Sequence, residues 1–396
     1  MTLLQRRIAR DITFTFLVAL TALTLMVMVI GVAREALSQG LGISSVLQMI
    51  PFALPNALSL AVPGTALLSV CVVYGRMSAD NEFTALQSVG ISPLPAMMPA
   101  IVITTVLSLA TVGLINMAFT WGFHGVQKVV ISSVESIAYR VLERDLRFQH
   151  ENLTLSVADV DGRHLISPVI NIRRPGQETI SITAQVAELS YNDAAEGLTL
   201  SITNGSARMG EKASFMFPDT FVHTVPLSKH HNEDVMSANP SHMRMRELPT
   251  AMVQQSSDIH RREGEIAVHT AFSILTSRPE ELGGTESNSR IASLSSSRRR
   301  VHRLDTEMHR RWASGFTCLA LALVGIPLAI RLKTSDTMTT FAIVFLPTLL
   351  VYYPIFALTL NLAKEGSLVA QGVWIANGIF LLISFVMMRR VIYCPS

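Results

Sequence analysis

Six long apolar runs constrain this chain more than any motif in it. A bilayer's hydrocarbon core is about 30 Å thick and takes roughly 20 apolar residues to cross as a helix. Lipid offers backbone N–H and C=O groups no partner, so each crossing must satisfy its own hydrogen bonds. Runs of that kind cover Ile12–Ala33, Leu54–Tyr74, Pro95–Trp121, Trp312–Ile330, Phe341–Leu362 and Val373–Met388. The last is short by itself, and Val369, Ala370, Val391 and Ile392 extend it at both ends. Hydrophobic residues make up 49% of the chain and charged ones 15%, with mean hydropathy +0.40. That balance lies outside the range of soluble domains. The expected fold is therefore membrane α-helical, with six transmembrane helices split three and three around a polar insertion.

The basic residues read as topology rather than as a ligand surface. Lys and Arg exceed Asp and Glu by 32 − 29 = 3 and form no nucleic-acid-binding face. Short loops that carry Lys and Arg stay on the cytoplasmic side. Arg6, Arg7, Arg10, Arg76, Arg331, Lys333, Arg389 and Arg390 share one side if both termini are cytoplasmic, whereas Arg34 and Lys364 fall opposite. The first run continues uncharged to Ala33 with no small-residue cleavage site, so it is expected to be retained as a helix. Cys71 and Cys318 lie in apolar runs and Cys394 near the end, which implies no disulfide framework.

Residues 125–310 change character, with frequent charges and no run long enough to span. Strands are expected at Leu153–Val157, His164–Ile172, Ile180–Val186, Leu198–Ile202 and Ser214–Phe217, separated by turns at Asp161-Gly162, Pro175-Gly176 and Asn204-Gly205. This spacing suggests an all-β sandwich or jelly roll, whose open edges invite pairing with another β domain. From Lys229 to Arg303 the pattern gives way to a polar segment of mixed helix and mobile loop, ending in Ser295-Ser-Ser-Arg-Arg-Arg300. The expected layout is helices 1–3 in residues 1–124, the β domain in 125–228, the polar segment in 229–309 and helices 4–6 in 310–396.

The loop between the second and third runs reads Arg76-Met-Ser-Ala-Asp-Asn-Glu-Phe-Thr-Ala-Leu-Gln-Ser-Val-Gly-Ile-Ser92. Ser78 or Asp80 can cap a short amphipathic helix over about 77–90, with Ala79, Phe83, Leu86 and Gly90 on one face and Gly90 and Pro93 as the stop. One reading is a solvated connector at the membrane interface. The other is a coupling helix for a cytoplasmic ATPase, with Arg76, Asp80, Glu82, Phe83, Leu86 and Gly90 forming the contact and Glu82 accepting from a basic or backbone donor.

This loop resembles the signature of the LptF/LptG permeases, the membrane subunits of the lipopolysaccharide-export ABC transporter. Pro51, Pro55 and Pro63, Glu307-Met-His-Arg-Arg311, Gly325-Ile-Pro327, Tyr352-Tyr353, Trp374 and Asn377 are similar to that family's pattern in both membrane halves. The resemblance implies a multi-pass protein of the bacterial inner membrane with a periplasmic jelly-roll-like domain. It also implies a second permease of the same kind, a cytoplasmic ATPase dimer, a periplasmic jellyroll bridge and lipopolysaccharide or a related glycolipid as cargo. No cofactor and no catalytic residue are expected.

Arg34 ends the first run on the outer side, where a lipid phosphate would lie, and guanidinium binds phosphate in a bidentate way. It is equally readable as an interfacial anchor. Lys128 and Arg311 are weaker candidates for the same contact. The segment Gly205-Ser-Ala-Arg-Met-Gly-Glu-Lys-Ala213 mimics a phosphate loop, but it carries Glu211 before Lys212 and Ala213 in place of the Mg²⁺-binding hydroxyl. His223, His230 and His231, near Glu233 and Asp234, fit no zinc spacing. A lipoprotein-release type of ABC membrane protein and a membrane sensor or scaffold remain as alternatives.

Overall fold

Each apolar run is one helix in the computed structural model, which describes residues 3–39, 43–150, 153–172, 180–192, 197–209, 213–217, 221–226, 238–277, 282–332 and 337–393. Six helical stretches are long and apolar enough to cross a membrane: Leu3–Glu35, Ser44–Ala79, Leu94–Ser132, Thr285–Leu332, Thr339–Glu365 and Ala370–Tyr393. The expectations at Pro175-Gly176, residues 210–212, His230, His231, Glu233, Asp234, Lys333 and Cys394 lie outside the described residues.

The chain divides into two compact units. One contains Met1–Val29, Ala53–Phe123 and Asp234–Ser396, and the other Ile30–Phe52 and His124–Glu233.

Helices α1 (Leu3–Gln39) and α2 (Ile43–Ala79) belong to the first unit up to Val29 and from Ala53 on, and the short α3 (Glu82–Ser88) and α4 (Leu94–Met117) follow in that unit. After the second unit come α7 (Leu248–Leu275), α8 (Thr285–Leu332), α9 (Thr337–Glu365), a 3₁₀ turn (Ala370–Trp374) and α10 (Ile375–Tyr393). The middle of α8 is built of small residues, and its neighbours close onto it. Gly315 faces α4 so closely that an added Cβ would stand 3.0 Å from Val112 N and 3.1 Å from the Ser108 carbonyl oxygen. Gly325 meets Leu67 and Cys71 of α2 in the same way. Small residues allow helices to approach in this manner where lipid removes any hydrophobic drive between them.

Several hydroxyls within the spans bond their own helix. Thr65, Thr104, Thr111 and Thr317 each donate to the carbonyl four residues back. Proline lacks an N–H and frees the carbonyl four residues earlier. Pro99 frees the Pro95 carbonyl, which accepts from Gln5 Nε2 at 3.2 Å. Pro327 frees the Leu323 carbonyl, which accepts from Ser384 Oγ at 2.6 Å. Side chains of other helices thus supply the two missing donors.

The polar segment before the fourth span, expected as mixed helix and loop, holds two long helices among the described residues. α8 is 48 residues long and begins 27 positions before Trp312, because α7 packs beside its first third. Asp258 of α7 is buried and bonds Arg262 Nε and Arg261 Nη2, each at 2.6 Å, while Ser297 Oγ of α8 lies 3.4 Å from it. Burial pushes the Asp258 carboxyl up, but hydrogen bonds and charge from Arg262 and Arg261 outweigh this and hold it below the usual carboxylate range. Ser295 and Ser296 return their hydroxyls to the helix, donating to Ala292 O at 2.8 Å and Ser293 O at 2.7 Å.

In the second unit, α5 (Phe123–Ser132) and α6 (Val134–Asp145) lead into β1 (Arg147–His150), β2 (Leu153–Ser156), β3 (Asp159–Asp161), β4 (His164–Ile166), β5 (Val169–Ile172), β6 (Ile180–Asn192), β7 (Gly197–Met209), β8 (Ala213–Phe217) and β9 (Phe221–Pro226). All nine strands join one curled sheet, so a jelly roll's second sheet is absent among the described residues. The antiparallel pair β6–β7 is its spine, with β5 and β4 in tandem on one edge and β9 and β8 in tandem on the other. α6 covers one face, laying Ala138 and Leu142 on Leu155, Leu165, Ile170 and Leu189.

Two sequence expectations change here. The run His164–Ile172 is two strands, because Ser167 adopts φ 49° and Pro168 follows it without a donor. Asn204-Gly205 is no turn: β7 passes through it, and the positive φ of Asn204 marks the point where β7 exchanges β9 for β8.

Candidate functional site

The segment between α2 and α4 is held from three directions within the first unit. Tyr74, in the last turns of α2, donates to Ala96 O at 2.9 Å and faces the Phe83 ring at 6.1 Å between centroids. Phe83 is buried, and Leu86 packs at the edge of the same core. These two apolar residues, three apart, seat α3 against α2. The helix ends in glycine for a stated reason: Gly90 has φ +82°, while Gly90 N and Ile91 N bond the Gln87 and Leu86 carbonyls at 2.9 and 3.0 Å. That double closure is a Schellman cap, which an L side chain disfavours.

The N-terminal end departs from expectation. α3 begins at Glu82, since residues 77–79 still belong to α2, and neither Ser78 nor Asp80 caps it. Asn81 stands at the cap in the left-handed region with no side-chain hydrogen bond. The Ser78 hydroxyl is used elsewhere, donating to the Ile330 carbonyl of α8. Asp80 is exposed in the intervening turn. The outward side of the segment presents Thr84, Ala85 and Ser88, with Val89 76% and Ile91 47% exposed beyond them.

Three residues of α1 reach this segment. Arg7 Nη2 is 3.6 Å from Glu82 Oε1, Asp11 Oδ2 is 3.0 Å from Arg76 Nη2, and Gln5 caps the carbonyl freed by Pro99. In the sequence Arg7 reads as a topology charge and Arg76 as part of the coupling contact, while Asp11 and Gln5 carry no assigned role. The available signals were an acidic residue, Asp11, at the head of an apolar run and a proline lacking its donor.

The three cations proposed as phosphate contacts separate. Arg34 and Lys128 are exposed, and both belong to the second unit. Arg311 belongs to the first and is 0% exposed. Its guanidinium donates to Glu307 Oε1 at 3.0 Å, Asn116 Oδ1 at 2.9 Å, Ser241 O at 3.0 Å and Met243 O at 2.8 Å. Such a group is a brace tying α4, α8 and the segment before α7 together, not a free phosphate ligand. Its neighbour Arg310 forks onto Glu307 and lies 4.6 Å over the Phe119 ring, in a π turn (Ala118–Gly122) that ends α4. The Glu307–Arg311 spacing of four residues on a helix was the legible sign of this pair.

Another buried network escaped the sequence. Tyr352 donates to Asn377 Oδ1 at 2.6 Å and shares a hydrogen bond with Thr317, while Asn377 Nδ2 donates to Ala313 O. It fixes α9 and α10 on α8. Among the described residues no group of three or more His, Cys, Asp or Glu side chains is placed to hold a metal ion.

Six apolar helices among the described residues, long enough to cross a membrane, mark a multi-pass membrane protein. The chain belongs to the lipopolysaccharide export system permease LptF/LptG family, whose model matches residues 6–390. A search of curated proteins finds no match.

Proposed function

We propose that this chain is a non-catalytic subunit that extracts lipopolysaccharide, or a related envelope glycolipid, from the bacterial inner membrane. In this reading both termini are cytoplasmic and the β domain is periplasmic. A cytoplasmic ABC ATPase dimer supplies the energy, a second LptF/LptG-type permease completes the membrane path, and a periplasmic jellyroll bridge receives the lipid at an open edge of the β sheet.

One observation carries the reading beyond family membership: α3 is a closed, seated helix, and Val89 and Ile91 just past its end are open to solvent. A mere connector has no need of a buried anchor on one side and an apolar edge beyond its end. Helix-in-groove docking uses both. Glu82 supplies the acceptor, and Arg76, Asp80, Phe83, Leu86 and Gly90 hold its frame. At the outer side, Arg34 and Lys128 are the candidate phosphate contacts, while Arg311 is assigned to the brace.

The test is a mild-detergent pull-down of the tagged full-length chain, with mass spectrometry of proteins and lipids. Recovery of an ATPase, a second six-helix permease and a lipid A-like glycolipid is expected. Recovery of the chain alone with bulk phospholipid, even after crosslinking, overturns the reading. Glu82→Lys is expected to lose the ATPase while still inserting in the membrane.

A further inference from the structure

We infer that the N-terminal end of α1 is a clamp on the coupling segment, with Asp11 and Arg7 as positioning residues that convert movement of α3 into movement of α1. The inference rests on the reading of α3 as a docking helix.

Three contacts from within seven positions of one helix reach three successive parts of that segment. Asp11 holds Arg76 in the last turn of α2 at 3.0 Å, Arg7 meets Glu82 in the first turn of α3 at 3.6 Å, and Gln5 holds Pro95 in the first turn of α4 at 3.2 Å. Arg7 and Asp11 stand one turn apart and therefore share a face. Beside them Leu4, Ile8, Ile12 and Phe16 recur every four residues, with Ile8 2%, Ile12 1% and Phe16 5% exposed. Beyond Leu20 the helix is mostly open, with Leu25, Met26 and Val29 at least 57% exposed. The grip of the first unit on α1 is thus concentrated beside the coupling segment.

The physics of the pairs suits a transmitting contact. Arg7 and Glu82 are 59% and 31% exposed, and exposed pairs contribute little stability, so a basic group from a docked partner exchanges with Arg7 at small cost. Asp11 is the less exposed member of its pair, at 23%, and its bond to Arg76 is short, so it keeps α1 tied while Glu82 changes hands. At 1.5 Å per residue, about 27 Å separates Asp11 from Val29, and a tilt of about 5° moves the far end roughly 2 Å.

The experiment uses the full chain co-purified with its ATPase in nanodiscs containing lipopolysaccharide, and reads both ATPase recovery and lipid released per ATP hydrolysed. Asp11→Arg is expected to lower lipid released per ATP roughly five-fold or more while recovery stays within about two-fold. Asp11→Arg with Arg76→Asp is expected to regain most of the loss, a rescue that damaged packing would not give. If Asp11→Arg assembles poorly, Asp11→Asn provides the same comparison with a side chain of equal size. An unchanged ratio in the single variants, or no recovery in the double variant, overturns the clamp. Should Glu82→Lys keep the ATPase in full, the docking reading falls and the clamp with it. Should Glu82→Lys lose the ATPase and the Asp11 variants keep their ratio, only the clamp falls.

Discussion

α8 and α9 have apolar windows of equal hydropathy, yet 72% of the window in α8 is buried in the chain against 17% in α9. The difference lies in side-chain size and placement. α8 carries Ala313, Gly315, Ala320, Ala322, Gly325 and Ala329, and its neighbours settle onto its backbone. α9 buries a single stripe at four-residue spacing, Val344, Thr348 and Tyr352, and turns Leu346, Leu350 and Leu358 outward. A span that is apolar everywhere can serve as the core of its own bundle or as a wall toward lipid or a partner, and hydropathy does not distinguish the two.

The comparison breaks most readily at the brace. Arg311→Leu leaves Glu307 buried against Arg310 alone and strands the Ser241 and Met243 carbonyls. A loss of about 3–5 kcal/mol is expected, read as a collapse of folded yield and a lower unfolding midpoint in detergent. Next comes Gly315→Ile, whose side chain meets the Val112 side chain and, behind it, the α4 backbone at Val112 N and Ser108 O, which cannot rotate away. It is expected to cost about 3 kcal/mol or more by the same measurement. If either variant behaves like wild type, α8 is not the centre of the bundle.

A smaller effect is expected from acid. Asp258 has a depressed folded pKa, so it contributes stability above the ordinary carboxylate value of about 3.9 and loses it as pH falls through the folded value. Hydrogen exchange in α7 should therefore quicken as pH drops below about 4, beyond the intrinsic change, and Asp258→Asn should abolish that dependence. The smallest effect belongs to α9: Leu350→Ala, at a residue 62% exposed, is expected within about 0.5 kcal/mol of wild type for the isolated chain. A much larger loss in the assembled complex would sharpen the contrast, since it would show that a partner covers this face.

The six spans, the strand regions and the short helix before Gly90 were legible because each depends on local pattern: apolar length, alternation and a glycine stop. The polar run Ser295–Arg300 was less legible for the opposite reason. Its helicity comes from α7 packing alongside, as Asp258, Ser297 and the Arg298–Glu263 pair at 2.7 Å show. Asn204-Gly205 carries turn residues, yet it became a kink because β6 continues unbroken beside it and supplies the ladder. At the candidate site, Phe83, Leu86 and Gly90 could be read from spacing. Arg7, Asp11 and Gln5 could not, since they stand more than 60 residues from the groups they hold.

By itself the sequence determined that this chain carries six runs apolar and long enough to cross a membrane and belongs with the LptF/LptG permeases, because length, hydropathy and motif are properties of contiguous residues. The tertiary structure alone decided which helix is most buried, that Arg311 and not Arg34 or Lys128 is a brace, and which residues reach the segment around α3. Those outcomes depend on close approach between distant parts of the chain, where a missing Cβ, a freed carbonyl or a buried charge finds its partner.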